Sequence, residues 1–98
     1  MTKPHYDRQE QILCAIDGRL SVMLVPHIYR QEVYADNLKD SIYFDPKVLS
    51  KDQPNVAAVN FFIPNLEKYP YFTDVQKFSV VLSKGDCLFI PAYYFHQM

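Results

Sequence analysis

The sequence predicts an all-β sandwich or barrel, and three observations support that prediction. Its apolar segments are short, and turn-forming residues separate them from one another. Aromatic residues are frequent, with 8 Tyr and 7 Phe in 98 residues, which suits the half-buried faces of strands. Only 2 Gly are present, whereas 7 Pro punctuate the loops. The length corresponds to one small domain, and 49% hydrophobic with 21% charged residues is typical of a folded chain.

The first predicted element is a β-hairpin made of residues 12–16 and 20–25. Both segments are apolar, and the Asp17-Gly18 dipeptide between them favours the positive φ angles of a tight hairpin turn. Polar and apolar residues alternate at the start of the second segment, which indicates that one of its faces points inward. Pro26 ends this segment, because proline cannot donate to a strand ladder.

The middle of the chain predicts irregular structure and one further strand. Residues 29–34 suit one or two helical turns, and residues 56–62 are apolar enough for a strand. Residues 36–55 mix charges, prolines and isolated aromatics. Such a stretch is too long for an ordinary connection, so we expect an insertion or a loop that covers a functional site.

The last third of the chain predicts a turn followed by two strands. Residues 64–70 are bounded by prolines and suit a turn with a short helical element. Residues 78–82 and 87–90 are apolar strand candidates, and a tight turn at 84–86 joins them. We therefore expect these two strands to pair with each other, and Pro91 to end or bend the second one.

Charge and hydropathy exclude several classes of function. The formal net charge is -1, so no overall attraction to nucleic acid or to an anionic membrane is expected. No apolar run approaches the roughly 18–20 residues of a membrane span, and residues 1–7 lack the apolar part of a secretory signal. Cys14 and Cys87 each lie in an apolar run, which favours buried thiols over a disulfide, with a single bridge left open. Together these features predict an intracellular protein, cytoplasmic or nuclear, in a reducing compartment.

Histidine and carboxylate placement gives the most informative chemical signal. His5 and Asp7 form an H-x-D triplet before the first strand, and residues two apart on a strand project to the same face. His96 follows the last apolar run, and a barrel can bring it beside that pair. Two imidazoles and one carboxylate form the facial triad of non-haem Fe(II) oxygenases, and they also suit Zn, Mn, Co or Ni. On spacing alone, histidines on the surface near mobile chain ends remain the alternative, and His27 is expected to be a loop residue without a functional role.

Three longer segments extend this signal, namely 5–19 (HYDRQEQILCAIDGR), 65–72 (NLEKYPYF) and 84–97 (KGDCLFIPAYYFHQ). The first resembles the iron-binding strand and hairpin of JmjC-type, cupin-like (cupin-8) protein hydroxylases. The second is similar to the family's N-P-D-L-E-K-F-P-x-F segment. The third resembles the element, beginning P-G-D-x-L, that carries the distal iron ligand. The three segments occur in the family's order and cover nearly the whole chain.

The resemblance implies a double-stranded β-helix, a cupin-like jelly roll of two antiparallel sheets. It also implies Fe(II)- and 2-oxoglutarate-dependent oxygenation, usually hydroxylation of a protein side chain, with His5, Asp7 and His96 as the iron ligands. Thr2 matches a hydroxyl residue that in some members touches the 2-oxoglutarate carboxylate. Gln11 stands where many members have an Asn near the cosubstrate.

The sequence departs from the family pattern at Leu20 and at the Tyr94-Phe95 pair. Leu20 stands where these hydroxylases commonly carry a lysine that pairs with the distal carboxylate of 2-oxoglutarate, and an unpaired buried carboxylate is costly. Either Tyr6, Tyr94 or a shifted Arg19 anchors the cosubstrate instead, or 2-oxoglutarate is not bound in the usual manner. Tyr94-Phe95 replaces the family's Trp-Trp pair and keeps its aromatic bulk.

These features leave two hypotheses about function. We expect residues 1–98 to form a single, partial JmjC/cupin-like domain, incomplete at both ends, with a variable insertion around 36–55. Exposed sheet edges would then favour a homodimer. The first hypothesis is an active oxygenase acting on a protein or peptide, and the second is a catalytically degenerate cupin-like module for protein interaction. A structural zinc site is disfavoured, because such sites are usually closed and rich in cysteine.

Overall fold

The computed structural model describes residues 1–35, 42 and 55–98. Within these residues the chain forms five β-strands and no α-helix. The strands are β1 Gln11–Cys14, β2 Arg19–Val25, β3 Phe78–Ser83, β4 Cys87–Ile90 and β5 Phe95–Gln97. Short 3-10 helices span His27–Tyr29 and Pro70–Asp74. The prediction of a mainly β, cupin-like fold is thereby confirmed.

The strands form two antiparallel sheets. One sheet contains β1 and β4, and the other has the order β3-β2-β5. In the first sheet Ile12 pairs with Phe89, and in the second Leu20 pairs with Leu82 while Leu24 pairs with His96. Strand β2 is therefore the central strand of the second sheet, and β5 lies beside it.

The two predicted hairpins are wrong, because each strand pairs with a strand from the other end of the chain and not with its neighbour in sequence. β1 pairs with β4 and β2 pairs with β3, so neither β1 with β2 nor β3 with β4 forms the expected pair. The two turns run side by side as corners between the sheets, since the Ala15 N–H donates to the Asp86 carbonyl and the Gly85 N–H donates to the Ala15 carbonyl. Gly18 at φ 65 and Gly85 at φ 93 supply the left-handed backbone that these corners need. Burial of both apolar faces between two sheets decides the pairing.

The strand predicted at residues 56–62 is also wrong. Val56 forms only an isolated bridge with His5. Residues 56–59 are all buried, whereas a strand with one exposed face would alternate. This apolar run therefore serves as an irregular, fully covered segment of the core.

The predicted helical segments are shifted along the chain. The turn expected at 29–34 begins earlier, with the 3-10 helix His27–Tyr29, and continues as turns to residue 35. The short helix expected within 64–70 begins at Pro70, because a proline at the first helical position fits the helix geometry. The insertion expected at 36–55 lies outside the described residues, apart from residues 42 and 55.

Two apolar clusters hold the sheets and loops together. The inter-sheet cluster has a buried centre made of Ala15, Val22, Leu24, Leu82 and Ile90. The aromatic cluster surrounds three fully buried phenylalanines, Phe61, Phe72 and Phe95. The Phe61 and Phe72 rings stack at 5.6 Å between centroids. Because Phe95 belongs to β5, this second cluster fixes the strand that carries His96.

The prediction of buried free cysteines is wrong. Cys14 and Cys87 are cross-strand partners on β1 and β4, and they form a disulfide. Both residues are exposed, because the neighbouring Leu13 and Leu88 face the inter-sheet cluster and side chains alternate along a strand. The argument from buried thiols to a reducing compartment therefore loses its basis. Among the described residues, no helix is long and apolar enough to cross a membrane.

Candidate metal centre

The N-terminal segment and β5 bring His5 and His96 side by side. The His5 N–H donates to the His96 carbonyl at 3.1 Å, and the His96 N–H donates to the His5 carbonyl at 2.8 Å. Further out, the Thr2 N–H donates to the Met98 carbonyl at 2.9 Å. The two ends of the chain thus run antiparallel, and the two imidazole rings lie 4.5 Å apart between centroids.

Three potential ligand atoms converge at this point. Asp7 Oδ2 lies 3.6 Å from His5 Nε2 and 3.5 Å from His96 Nε2. One ligand atom from each residue lies within 4.8 Å of the others. Two ligands about 2.1 Å from an ion and at right angles to each other would be about 3.0 Å apart. The spacing therefore needs only a small contraction to hold a first-row metal ion.

Both imidazoles present the nitrogen that a metal requires. His5 Nδ1 lies 2.8 Å from the Lys3 carbonyl oxygen, and His96 Nδ1 lies 3.1 Å from the Tyr94 carbonyl oxygen. A carbonyl oxygen only accepts hydrogen bonds, so Nδ1 is assigned as the donor in each ring, and Nε2 of the uncharged form then has a free lone pair. Such outer hydrogen bonds are the usual way in which proteins orient metal-binding histidines. The hydrogen bonds at Nδ1 therefore indicate, independently of the distances between the ligand atoms, that these residues fit a metal ion.

Asp7 is held by the chain on two sides. The Gln11 side-chain amide donates to Asp7 Oδ2, the same oxygen that faces both imidazoles. The Tyr93 N–H donates to the Asp7 carbonyl at 2.8 Å. Tyr93 has φ 67, a left-handed conformation that is uncommon for a bulky residue. The backbone around Asp7 is thus fixed by contacts that the sequence pattern did not reveal.

Burial favours the uncharged form of His96. His96 is 2% exposed, and this burial lowers the pKa of its imidazole. The Tyr94 carbonyl opposes that shift, His5 adds to it, and Asp7 opposes it, with a net lowering of the pKa. A neutral imidazole is the form that binds metal ions, so the ring is prepared for coordination at neutral pH.

The structure separates the remaining predicted residues by environment. Gln11 reaches the cluster through Asp7, and the Thr2 hydroxyl accepts the Met98 N–H at 3.1 Å. Tyr94 packs against the inter-sheet cluster, in which Leu20 also lies. The roles of Thr2, Gln11 and Tyr94 in holding a cosubstrate stay predictions. His27 lies outside the metal-ligand group, and its ring stacks on Phe95 at 5.8 Å between centroids.

The position of the missing lysine faces the interior. Leu20 is partly buried against the inter-sheet cluster, whose described members are all apolar except for the hydroxyl of Tyr94. Arg19 is exposed and pairs across the sheet with Ser83, so its side chain leaves the opposite face. Arg19 therefore does not replace a lysine at position 20 in this structure.

Sequence reasoning missed one buried polar residue next to the site. Gln97 is 0% exposed; its Oε1 accepts the Phe61 N–H at 2.7 Å and its Nε2 donates to the Thr2 carbonyl at 3.1 Å. It ties β5 to both the N-terminal segment and the aromatic cluster. A buried glutamine between His96 and Met98 carries no sequence signal, because only the fold reveals which backbone groups it satisfies.

Comparison with known proteins gives consistent matches over the whole chain. A family model described as "Cupin-like domain" matches residues 1–98. The chain is 31% identical over 94 residues to tRNA wybutosine-synthesizing protein 5 of Homo sapiens, covering 96% of this chain and 25% of that protein. It is 32% identical over 96 residues to Lysine-specific demethylase JMJ31 of Arabidopsis thaliana, covering 96% of this chain and 16% of that protein. It is 27% identical over 96 residues to JmjC domain-containing protein D of Dictyostelium discoideum, covering 98% of this chain and 19% of that protein. The chain spans a quarter or less of these relatives.

Proposed function

Because the chain belongs to the family of cupin-like domains, as its three motifs predict, we propose that it is a non-haem Fe(II)- and 2-oxoglutarate-dependent oxygenase domain of the protein-hydroxylase type. The observation that supports this most directly is the convergence of His5 Nε2, His96 Nε2 and Asp7 Oδ2. Three ligands from one side leave the other coordination positions open, which is the arrangement of catalytic rather than structural metal sites.

The chain's own residues would hold the ion and keep its ligands oriented. His5, Asp7 and His96 would bind Fe(II), and the carbonyls of Lys3 and Tyr94 would keep both imidazoles in the metal-binding tautomer. When bound, Fe(II) supplies the open positions at which 2-oxoglutarate and dioxygen react. The buried His96 side limits access of water from that direction.

The cosubstrate would need an anchor other than a cation at position 20. We assign Tyr94 to this role, because it is the hydroxyl-bearing residue that packs against the same described cluster as Leu20. Thr2 and Gln11, at the edge of the metal centre, are proposed as further polar contacts. A neutral hydroxyl binds a carboxylate more weakly than a lysine does, so we expect weak 2-oxoglutarate binding.

The substrate class is proposed to be a protein or peptide. One relative is named as a lysine-specific demethylase and another as a tRNA wybutosine-synthesizing protein. The formal net charge of -1 gives this chain no general attraction to RNA, which favours the protein side.

One observation favours a second candidate function. Leu20 itself carries no positive charge for the distal carboxylate of 2-oxoglutarate, and it packs against the apolar inter-sheet cluster. The alternative is therefore a catalytically degenerate cupin-like module that binds metal, or only keeps the fold, for protein interaction.

Metal content and cosubstrate turnover separate these functions. The chain is reconstituted anaerobically with Fe(II), freed of unbound ion by gel filtration, and analysed for iron; succinate formed from 2-oxoglutarate in air is then measured. His5→Ala, Asp7→Asn and His96→Gln remove one ligand each. His27→Phe is the matched control, because His27 lies outside the ligand group and a phenyl ring can still stack on Phe95. Circular dichroism verifies that each variant is folded.

Each result supports one function. About one iron per chain with succinate formation, both lost in the ligand variants and kept in the control, supports the oxygenase. Iron without succinate at millimolar 2-oxoglutarate supports the degenerate module. Equal iron uptake in the folded ligand variants and in the wild type would refute the metal centre itself.

A further inference from the structure

The Cys14–Cys87 disulfide lies on the outward face of the β1–β4 sheet. Both cysteines are exposed. Their outward neighbours, Ile12 and Phe89, are 73% and 53% exposed, so this face is open to solvent in the described part of the chain. Exposed disulfides are generally reduced more easily than well-packed structural ones. This bond is therefore accessible to exchange with a thiol.

The sheet that the disulfide spans is small. Strands Gln11–Cys14 and Cys87–Ile90 contribute four residues each, and among residues 1–35 and 55–98 no third strand joins them. A two-stranded sheet has little stability of its own. The disulfide joins the last cross-strand pair of this ladder covalently. It therefore fixes which residues of β1 and β4 lie opposite each other.

Hydrophobic burial specifies this register only weakly. Leu13 and Leu88 face the inter-sheet cluster, whereas Ile12 and Phe89 face outward. A slip of either strand by one residue turns its outward side chains inward, and here an apolar residue would replace another apolar residue. The covalent bond is thus needed to lock a register that burial alone leaves poorly defined.

The same register places Gln11 on the metal centre. Gln11 is three residues from Cys14 and pairs with Ile90, and its side-chain amide donates to Asp7 Oδ2. That oxygen is the one that faces both imidazoles. A slip of β1 would turn Gln11 away and remove the donor from Asp7. Loss of a hydrogen bond that orients a metal ligand typically lowers metal affinity about 10–100-fold.

We propose that Cys14–Cys87 is a thiol–disulfide exchange site, with a dithiol as its reductant, and that its redox state sets the metal affinity of the centre. The proposal rests on the proposed metal centre and adds its regulation. In the oxidised chain the bond locks the β1–β4 register, and Gln11 holds Asp7 towards the two imidazoles. In the reduced chain the lock is absent, so a smaller fraction of molecules keeps the contact between Gln11 and Asp7.

The exchange proceeds in two steps. A thiolate of the dithiol attacks one exposed sulfur, which breaks the Cys14–Cys87 bond, forms a mixed disulfide and releases one cysteine thiolate. The second thiolate of the dithiol then attacks the mixed disulfide, closes a cyclic disulfide and releases the other cysteine. The dithiol gives up two electrons and its two protons, and both cysteines end as thiols.

Titration of the metal-free chain with Mn(II) tests the proposal, with free Mn(II) measured by electron paramagnetic resonance. Dithiothreitol reduces the chain, gel filtration under argon removes the reagent, and a colorimetric assay verifies that both cysteines are thiols. We expect the reduced chain to bind Mn(II) about tenfold more weakly than the oxidised chain. Circular dichroism gives the folded fraction, and trimethylamine N-oxide is added to both states if reduction unfolds part of the chain, because this osmolyte favours the folded state.

Three variants separate the covalent link from other causes. The Cys14→Ser, Cys87→Ser double variant should bind Mn(II) as the reduced chain does, with or without dithiothreitol treatment. Gln11→Leu should bind more weakly in both states, and reduction should change its affinity less than about twofold, because the residue that carries the coupling is gone. Val81→Ser is the matched control, since Val81 is exposed on β3 outside the ladder and should keep the full redox effect.

Nuclear magnetic resonance of the ¹⁵N-labelled, metal-free chain follows the contact itself. Reduction should shift the side-chain amide signals of Gln11, which donates to Asp7. The amide signals of the exposed Gln76, which lies outside the ladder, should stay in place. Unchanged Gln11 signals after complete reduction would contradict the loss of this contact.

The outcomes distinguish the redox control from the metal centre. Equal Mn(II) affinity of the two folded states, or a full redox effect in Gln11→Leu, would overturn the proposal and leave the metal centre intact. Tighter Mn(II) binding by the reduced wild type than by the double serine variant would assign the thiols as ligands and overturn it as well. Absence of saturable Mn(II) binding by the oxidised chain would refute the metal centre on which the proposal rests.

Discussion

The buried amide of Gln97 allows the stability of the fold to be separated from the chemistry of the metal centre. Gln97→Leu keeps most of the side-chain volume but removes the acceptor for the Phe61 N–H and the donor to the Thr2 carbonyl. Phe61 is 1% exposed, so its N–H would be left buried without a partner. Thr2 is exposed, so water can satisfy its carbonyl.

The expected loss follows from that difference in burial. A buried donor left without an acceptor costs about 1–3 kcal/mol, whereas the solvated carbonyl adds little. We therefore expect the free energy of unfolding to fall by about 2 kcal/mol, and the melting temperature by about 8–16 °C for a domain of this size. The metal affinity of the folded variant should change less than about twofold, because neighbouring residues on a strand point to opposite faces.

Urea unfolding of the metal-free chain, followed by circular dichroism, measures the first quantity. Titration with Mn(II), at urea concentrations below the unfolding midpoint, measures the metal affinity of the folded variant. Gln76→Leu is the control, since Gln76 is exposed and should shift stability by less than about 0.5 kcal/mol. If Gln97→Leu behaves like this control, the two hydrogen bonds do not stabilise the fold and the reasoning is refuted.

Three further predictions concern the disulfide, the cosubstrate position and pH. Reduction with dithiothreitol should lower the free energy of unfolding by about 2–4 kcal/mol, because Cys14–Cys87 closes a long loop, and the Cys14→Ser, Cys87→Ser double variant should no longer respond to the reductant in urea unfolding. Leu20→Lys should tighten 2-oxoglutarate binding about tenfold relative to the uncharged control Leu20→Met, as measured by calorimetry of the Mn(II)-loaded chain. Equal affinities of the two variants would contradict the idea that a cation at position 20 can pair with the cosubstrate. Burial lowers the pKa of His96 in the folded chain, so as the pH falls the unfolded chain binds a proton on this imidazole before the folded chain does. The free energy of unfolding of the metal-free chain should therefore decrease as the pH drops below about 6.5. His96→Gln should show a shallower decrease when urea unfolding is measured over the same pH range.

The sequence predicted the strands better than their partners. Residues 87–90 and the end of β2 at Val25 were placed correctly, because alternation, apolar content and proline act locally. The partner of each strand is not a local property. Asp17-Gly18 fits a hairpin and equally fits a corner between sheets, and only the burial of Leu13 and Leu20 in one cluster selects the corner.

The motifs predicted the candidate ligands, but they did not predict the hydrogen bonds that orient those ligands. His5 and Asp7 follow from strand alternation, and His96 from the third motif. The tautomers depend on the backbone carbonyls of Lys3 and Tyr94, which no residue pattern encodes. The same limit applies to Tyr93, whose positive φ and contact with Asp7 arise from the crossing of two segments.

The candidate metal centre and the disulfide depend on one pairing between the N-terminal and C-terminal segments. Cys14 pairs with Cys87, Gln11 with Ile90 and His5 with His96, so the N-terminal and C-terminal segments form one antiparallel ribbon. Between the last two pairs the ribbon passes from one sheet to the other. Asp7 lies in this passage, held to Tyr93.

The register of that ribbon therefore fixes two distant chemical features together. A slip by one residue would turn alternate side chains to the opposite face, separating the Cys14 and Cys87 sulfurs and moving His96 away from Asp7 at the same time. The hairpins expected from local sequence would have paired β1 with β2 and β4 with β3, and this ribbon would not have formed. The long-range pairing that the local pattern could not predict is thus the feature that brings the candidate metal ligands together.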